Sequence, residues 1–199
     1  MELTQSRTVK IIAALLLLLA ITQPIYTALF IGAPEFDRQF MWRIEGVIFV
    51  LLAAFSTSAL VMARDHALGF SAIAFSAILK LLAVGMGLTQ FGPFTRAAEL
   101  NTDLGDVATS ILAFSFFCYN SANILLGLAA VVFGMSKIRG GGRAVGGATL
   151  LVGAVAFVTN SLVMMFGFQG FFPSPVAGGF GVLATLLLAI CLFQANSGD

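Results

Sequence analysis

Residues 67–91 read ALGFSAIAFSAILKLLAVGMGLTQF, with Lys80 the one charged side chain in an otherwise apolar run. A bilayer core about 30 Å thick takes roughly 20 apolar residues per helical crossing. The run has that length only if Lys80 is tolerated inside it. Its reading therefore decides whether the chain crosses a membrane five times or six.

The rest of the chain sets the context. Of 199 residues, 59% are hydrophobic and 10% charged, against roughly 45–50% and about 25% in ordinary soluble domains. Ile11 to Ala33, Gly46 to Ala63 and Val107 to Ser136 carry no charge, and each suits one span. Ala144 to Gly198 is also uncharged but too long for one crossing, and FQGFFPSP at 168–175 breaks it with two prolines and a glycine. A β-barrel requires short segments of alternating polarity, which LLLLLAI and LLAVG are not. With the lysine-bearing run included, the expectation is an all-α polytopic membrane protein: a six-transmembrane-helix bundle with short loops. Its helices are expected at about 10–32, 45–63, 67–91, 107–135, 144–168 and 176–194, and 1–199 is expected to form a single integral membrane domain. Arg7 and Lys10 before IIAALLLLLA resemble the start of a signal peptide, but the uncharged run outlasts a typical signal core. It is read as a retained first helix.

Net charge is +1, which gives no bulk attraction to nucleic acid. With six helices, Arg7, Lys10, Arg64, Lys137, Arg139 and Arg143 fall on the side of both termini, and Arg38, Arg43 and Arg96 on the other. The positive-inside rule then places both termini in the cytoplasm of a bacterial-type inner (plasma) membrane. GAPEFDRQFMWRI, with Phe36, Phe40 and Trp42, is expected to lie at the outer lipid–water boundary, and SKIRGGGR to form a flexible inner turn. GMGLTQFGPF and MMFGFQGFFP share a loose likeness that either duplication or composition explains.

Three helices carry small and polar residues at alternating steps of three and four. The third gives Gly69, Ile73, Ser76, Lys80, Ala83, Gly87 and Gln90; the fourth Phe116, Asn120, Asn123, Gly127, Ala130 and Gly134; the fifth Gly146, Thr149, Gly153, Ala156, Asn160, Val163 and Gly167. Between helices in lipid, association depends on close backbone approach and on interhelical hydrogen bonds. Packing accounts for the glycines and alanines. Lys80 and Asn120 fall near the midplane, with Asn160 about one turn outward and Gln23, beside Pro24, at similar depth.

Lys80 differs in kind. At about 1.5 Å per residue, its Cα is roughly 20 Å from either flanking polar loop, and a charge at that depth costs on the order of 2.5–3.5 kcal/mol on insertion scales. Glu45, at the outer end of the second helix, reads as too shallow to be an easy partner. Three resolutions follow: a neutral amine held by Asn120, Asn160 or backbone carbonyls; an ammonium meeting the negative charge of a small ligand; or an ion pair with a partner membrane subunit or a second copy of the chain. A retinal-type Schiff base is disfavoured by six helices and no buried counter-ion.

The only histidine, His66, reads as a solvated turn residue beside Arg64 and Asp65. One histidine excludes paired-histidine haem and HExxH zinc sites within the chain. No metal or cofactor site is expected, Cys118 and Cys191 read as small buried apolar residues, and no nucleophile has an assignable base. The chain is therefore read as non-enzymatic. No motif likens it to a known family; small six-helix vitamin-binding subunits of bacterial importers match it in size and helix count alone. The expected function is binding or transport of a small anionic solute, with Lys80, Asn120 and Asn160 as principal ligand-binding residues and Gln23, Tyr119 and Asn123 as further candidates. The competing expectation is a noncatalytic accessory subunit of a larger membrane complex, in which Lys80 pairs with a partner's acid.

Overall fold

Lys80 lies inside a helix that does not stop at either end of the apolar run. In the computed structural model, which describes residues 4–32, 39–101, 104–167 and 174–195, one continuous rod spans Arg64–Leu100. It begins with a 3-10 turn (Arg64–His66), continues as α3 (Ala67–Met86), passes through a π-helical turn (Gly87–Phe91) and ends as α4 (Gly92–Leu100). The loop expected after Phe91 is thus helical to Leu100. Pro93 explains the π turn: it offers no N–H and its ring crowds the carbonyl one turn back, and a wider turn relieves both demands.

The other helices are α1 (Gln5–Gly32), α2 (Gln39–Met62), α5 (Gly105–Arg139), α6 (Arg143–Phe166) and α7 (Ser174–Ala195). Six helical rods are long and apolar enough to cross a membrane, and no strand occurs among the described residues. The chain is a multi-pass α-helical membrane protein. α1, α2, α3, α5 and α7 pack in a closed ring, and α6 lies against α5 and α7.

The glycine stripes seat α6. A Cβ on Gly127 would stand 2.7 Å from the Gly153 carbonyl, and one on Gly146 would stand 2.8 Å from the Gly134 carbonyl. Seven-residue spacing on both helices keeps these glycines on the facing sides of an antiparallel pair. Backbones touch there because no side chain intervenes. The turn between α5 and α6 is Gly140–Gly142, with Gly141 at φ 90°, a conformation that suits glycine.

α2 starts at Gln39, so Phe40 and Trp42 are helical and lie in its first turns, while residues 33–38, Phe36 among them, lie outside the described residues. Trp42 turns inward: a Cβ on Gly87 would lie 3.0 Å from its ring, and its ring centroid is 6.0 Å from those of both Tyr26 and Phe91. His66 lies in a 3-10 turn, as expected, but is only partly exposed. Its ring stacks on Phe133 at 5.5 Å and its Nε2 is 2.9 Å from Ser136 Oγ. The likeness of GMGLTQFGPF and MMFGFQGFFP does not extend to conformation, for the first is helical throughout whereas α6 ends at Phe166 and Gly167 adopts φ 76°. Residues 168–173 of the expected break lie outside the described residues.

Candidate functional site

The site is assembled from α1, α2, α3, α5, α6 and α7, and Lys80 is its centre. α2 and α3 run antiparallel, joined by the short segment at Ala63–His66, so successive turns of the two helices face one another. A Cβ on Gly46 would lie 3.7 Å from Val84. Lys80 is one turn inward of Val84, and Glu45 is the neighbour of Gly46. The two ionisable residues are consequently about one turn apart in depth on adjacent helices.

Both are buried. Lys80 is 2% exposed and Glu45 6%. Thr22 Oγ1 on α1 donates to Glu45 Oε1 at 2.8 Å. The Glu45 carboxyl and the Lys80 amine lie within each other's electrostatic field, yet Lys80 Nζ has no hydrogen-bond partner among the described residues. What it does have is an aromatic face: Nζ is 3.4 Å from the centroid of the Tyr119 ring on α5. A desolvated cation over a ring is worth about 2 kcal/mol, which offsets part of the cost of a charge at this depth. In line with the reading of Glu45 as no easy partner, its carboxyl makes no hydrogen bond to Lys80 Nζ. Because α2 begins at Gln39, Glu45 is not at the helix end but six residues inside it.

From Tyr119 a polar track crosses the bundle. Asn123 follows Tyr119 about one turn later on α5. Asn123 Nδ2 donates to Asn160 Oδ1 at 3.2 Å, and Asn160 Nδ2 donates to the carbonyls of Ala156 at 2.8 Å and Ala177 at 3.1 Å. This ties α5 to α6 and α6 to the N-terminal end of α7. Gly181 permits the approach, since a Cβ there would stand 2.8 Å from Asn123 Cγ. Beside the track, Ser76 Oγ on α3 donates to the Ala122 carbonyl at 2.9 Å.

The structure thus brings Lys80, Tyr119, Asn123 and Asn160 into one contiguous array. Asn120 is buried but its Nδ2 donates to the Phe116 carbonyl of its own helix at 2.8 Å. Gln23 is half-buried on α1, next to Thr22. Neither asparagine named as an amide partner for Lys80 bonds its amine. The residues that sequence reasoning passed over are Glu45 and Thr22. A signal for Glu45 was present: Trp42, Glu45, Phe49, Leu52, Ser56 and Ala59 follow alternating steps of three and four, which marks one face of a helix that begins before Glu45. All but Trp42 on that face are buried, and Trp42 is half-buried.

Lys80 is enclosed. A cavity of about 350 Å³ lies elsewhere, at the end of the bundle that holds His66, Ser136, Lys137 and Gln5. Among the described residues no group of three or more His, Cys, Asp or Glu converges as metal ligands would. The fold and site define an α-helical multi-pass membrane protein with a lysine and a glutamate buried on adjacent helices. Comparison of the chain with protein-family models, with curated proteins and with solved structures finds no match.

Proposed function

We propose that the protein binds or transports a small anionic solute at a mid-depth site around Lys80, in a bacterial-type inner membrane with both termini cytoplasmic. The observation that carries the reading is Lys80 Nζ itself: an amine 2% exposed, with no hydrogen-bond partner among the described residues. Buried polar groups are ordinarily satisfied, and ionisable side chains within a bilayer mark functional sites by default. A carboxylate or phosphate at Nζ accepts the N–H bonds the protein leaves unused. Tyr119 fixes the amine from one side, and the Asn123–Asn160 track begins about one turn along α5 from Tyr119. Because Lys80 is enclosed, the solute enters by separation of helices. The orientation rests on the basic residues: six on the side of the termini, three opposite.

The competing role is a noncatalytic accessory subunit whose Lys80 meets a partner's acid. Lys80 is enclosed within the ring, so a partner's carboxylate, like a solute, reaches it only if the helices part. The test is thermal unfolding of the purified protein in mild detergent with acetate, benzoate and inorganic phosphate. At least one anion is expected to raise the Tm of the native sequence and to leave Lys80→Met unmoved, because stabilisation follows affinity. Equal stabilisation of both proteins overturns the proposal.

A further inference from the structure

We propose that Glu45 joins Lys80 in one net-neutral intramembrane unit, which takes up a proton with each anion it binds. The inference rests on the anion-binding reading above. Its own basis is the cluster around Glu45: a carboxyl 6% exposed, held by Thr22 Oγ1 at 2.8 Å and placed about one helical turn from Lys80 on the antiparallel neighbour. From α1 the cluster is faced by Thr22 and Tyr26, from α3 by Lys80 and from α5 by Tyr119. Lys80 is the sole cation among these groups and Glu45 the sole carboxyl.

Charge balance supplies the argument. In a desolvated interior, an uncompensated charge costs several kcal/mol, and an opposite charge nearby offsets it. The empty pair holds one exchangeable proton and is neutral overall, whether as ammonium and carboxylate or as amine and carboxylic acid. An arriving anion makes the buried group net negative. One proton from water restores neutrality as ammonium, carboxylic acid and anion. That proton forms an O–H bond on Glu45 or an N–H bond on Lys80, according to where the first one lay; no other bond forms and no electron moves. Since binding takes up a proton, affinity rises as pH falls, by about tenfold per pH unit where the empty pair holds only one. The site then moves a weak acid as anion plus proton, and carries no net charge through the membrane.

Two measurements on the full chain test this. Infrared spectra in lipid nanodiscs compare Lys80→Met with Lys80→Met/Glu45→Gln. Removing the ammonium should leave Glu45 protonated, so a carboxylic-acid carbonyl stretch is expected in the single variant and absent from the double; no difference between them overturns the proposal. The second uses the native sequence and so does not depend on Lys80→Met folding. Acetate, benzoate and inorganic phosphate are titrated at two pH values a unit apart. The apparent affinity of the native sequence for whichever binds should rise about tenfold at the lower pH, and an affinity that stays level overturns the proposal. Lys80-dependent binding without a pH slope defeats this inference alone. Absence of any Lys80-dependent stabilisation defeats the anion-binding reading and the inference with it.

Discussion

Lys80 Nζ stands 3.4 Å above the ring of Tyr119, so the amine in the middle of α3 is held by a face of π electrons and not by a hydrogen bond. The ring and the hydroxyl of Tyr119 then serve different ends. The ring meets the Lys80 amine, and the hydroxyl is free to bond a polar neighbour such as Asn123, one turn along α5. Tyr119→Phe keeps the first and loses the second. Tyr119→Leu loses both. Unfolding in mild detergent should show Tyr119→Leu less stable than Tyr119→Phe by about 1–2 kcal/mol, and this difference should vanish in a Lys80→Met background. A difference that persists without Lys80 would show that the ring acts by packing alone.

Close approach of α5 and α6 gives a second expectation. A Cβ at Gly153 would lie 2.7 Å from Ala130 Cβ and 2.9 Å from the Gly127 carbonyl. Gly153→Leu forces the two backbones apart and should abolish a folded, monodisperse preparation. Leu151, two residues away and 64% exposed, points away from the bundle, and Leu151→Phe should purify and melt like the native sequence. Size-exclusion chromatography and melting curves decide it, and equal tolerance of the two changes would refute backbone contact as the basis of the pair.

These cases show what the sequence makes legible. The number of spans follows from uncharged length, and the interior faces of α3, α5 and α6 follow from the three–four spacing of small and polar residues: Ser76, Lys80, Asn120, Asn123, Gly127, Gly153 and Asn160 are all buried. What composition conceals is where a helix continues through charged residues. Gln39 to Glu45 includes Arg43 and Glu45 and so reads as loop, yet Trp42 and Glu45 occupy the buried face of α2. Arg64–Leu100 likewise runs past Arg96 and Glu99 as helix. Which polar groups meet was beyond the sequence for another reason. Asn120 and Asn123 are less than one turn apart, but only Asn123 is directed at Asn160, while Asn120 bonds its own helix.

Asn160 makes the track's connection to α7, donating to the Ala177 carbonyl at 3.1 Å as well as to Ala156 on its own helix. Asn160→Leu removes the donor and the acceptor used by Asn123, leaving buried polar groups unpaired. That costs about 1–3 kcal/mol. Hydrogen–deuterium exchange should rise at the N-terminal end of α7, around residues 176–181, more than at its C-terminal end. Uniform exchange along α7 would mean that the asparagine does not anchor it.

The proposed orientation makes a prediction of its own. A reporter active only in the cytoplasm should give signal when fused after Gln194 or within Gly140–Gly142, and none when inserted between residues 33 and 38. The basis is the excess of arginine and lysine near the termini and the α5–α6 turn. The reverse pattern would invert the protein in the membrane, and signal at all three sites would contradict six crossings.

The last prediction concerns Lys80 and Glu45 together. Truncating one member of a buried charged pair leaves the other uncompensated, whereas replacing both with uncharged groups of similar shape is often neutral or stabilising by about 1–4 kcal/mol. Lys80→Met keeps the length of the side chain and removes its amine; Glu45→Gln keeps a hydrogen-bonding group for Thr22 Oγ1, which now bonds Glu45 Oε1 at 2.8 Å. A double-mutant cycle should therefore be non-additive: each single variant is expected to melt below the native sequence, and the double at or above it. Non-additivity is the expected signature of residues that share one field. If the pair existed only to hold the fold, the double variant would be the better protein in every respect. The solute reading forecasts a split: the double variant folds as well as the native sequence or better, yet acetate, benzoate and phosphate no longer raise its Tm. Additive single effects would remove the electrostatic link between α2 and α3. A stable double variant that keeps its anion response would take the binding site away from Lys80 altogether.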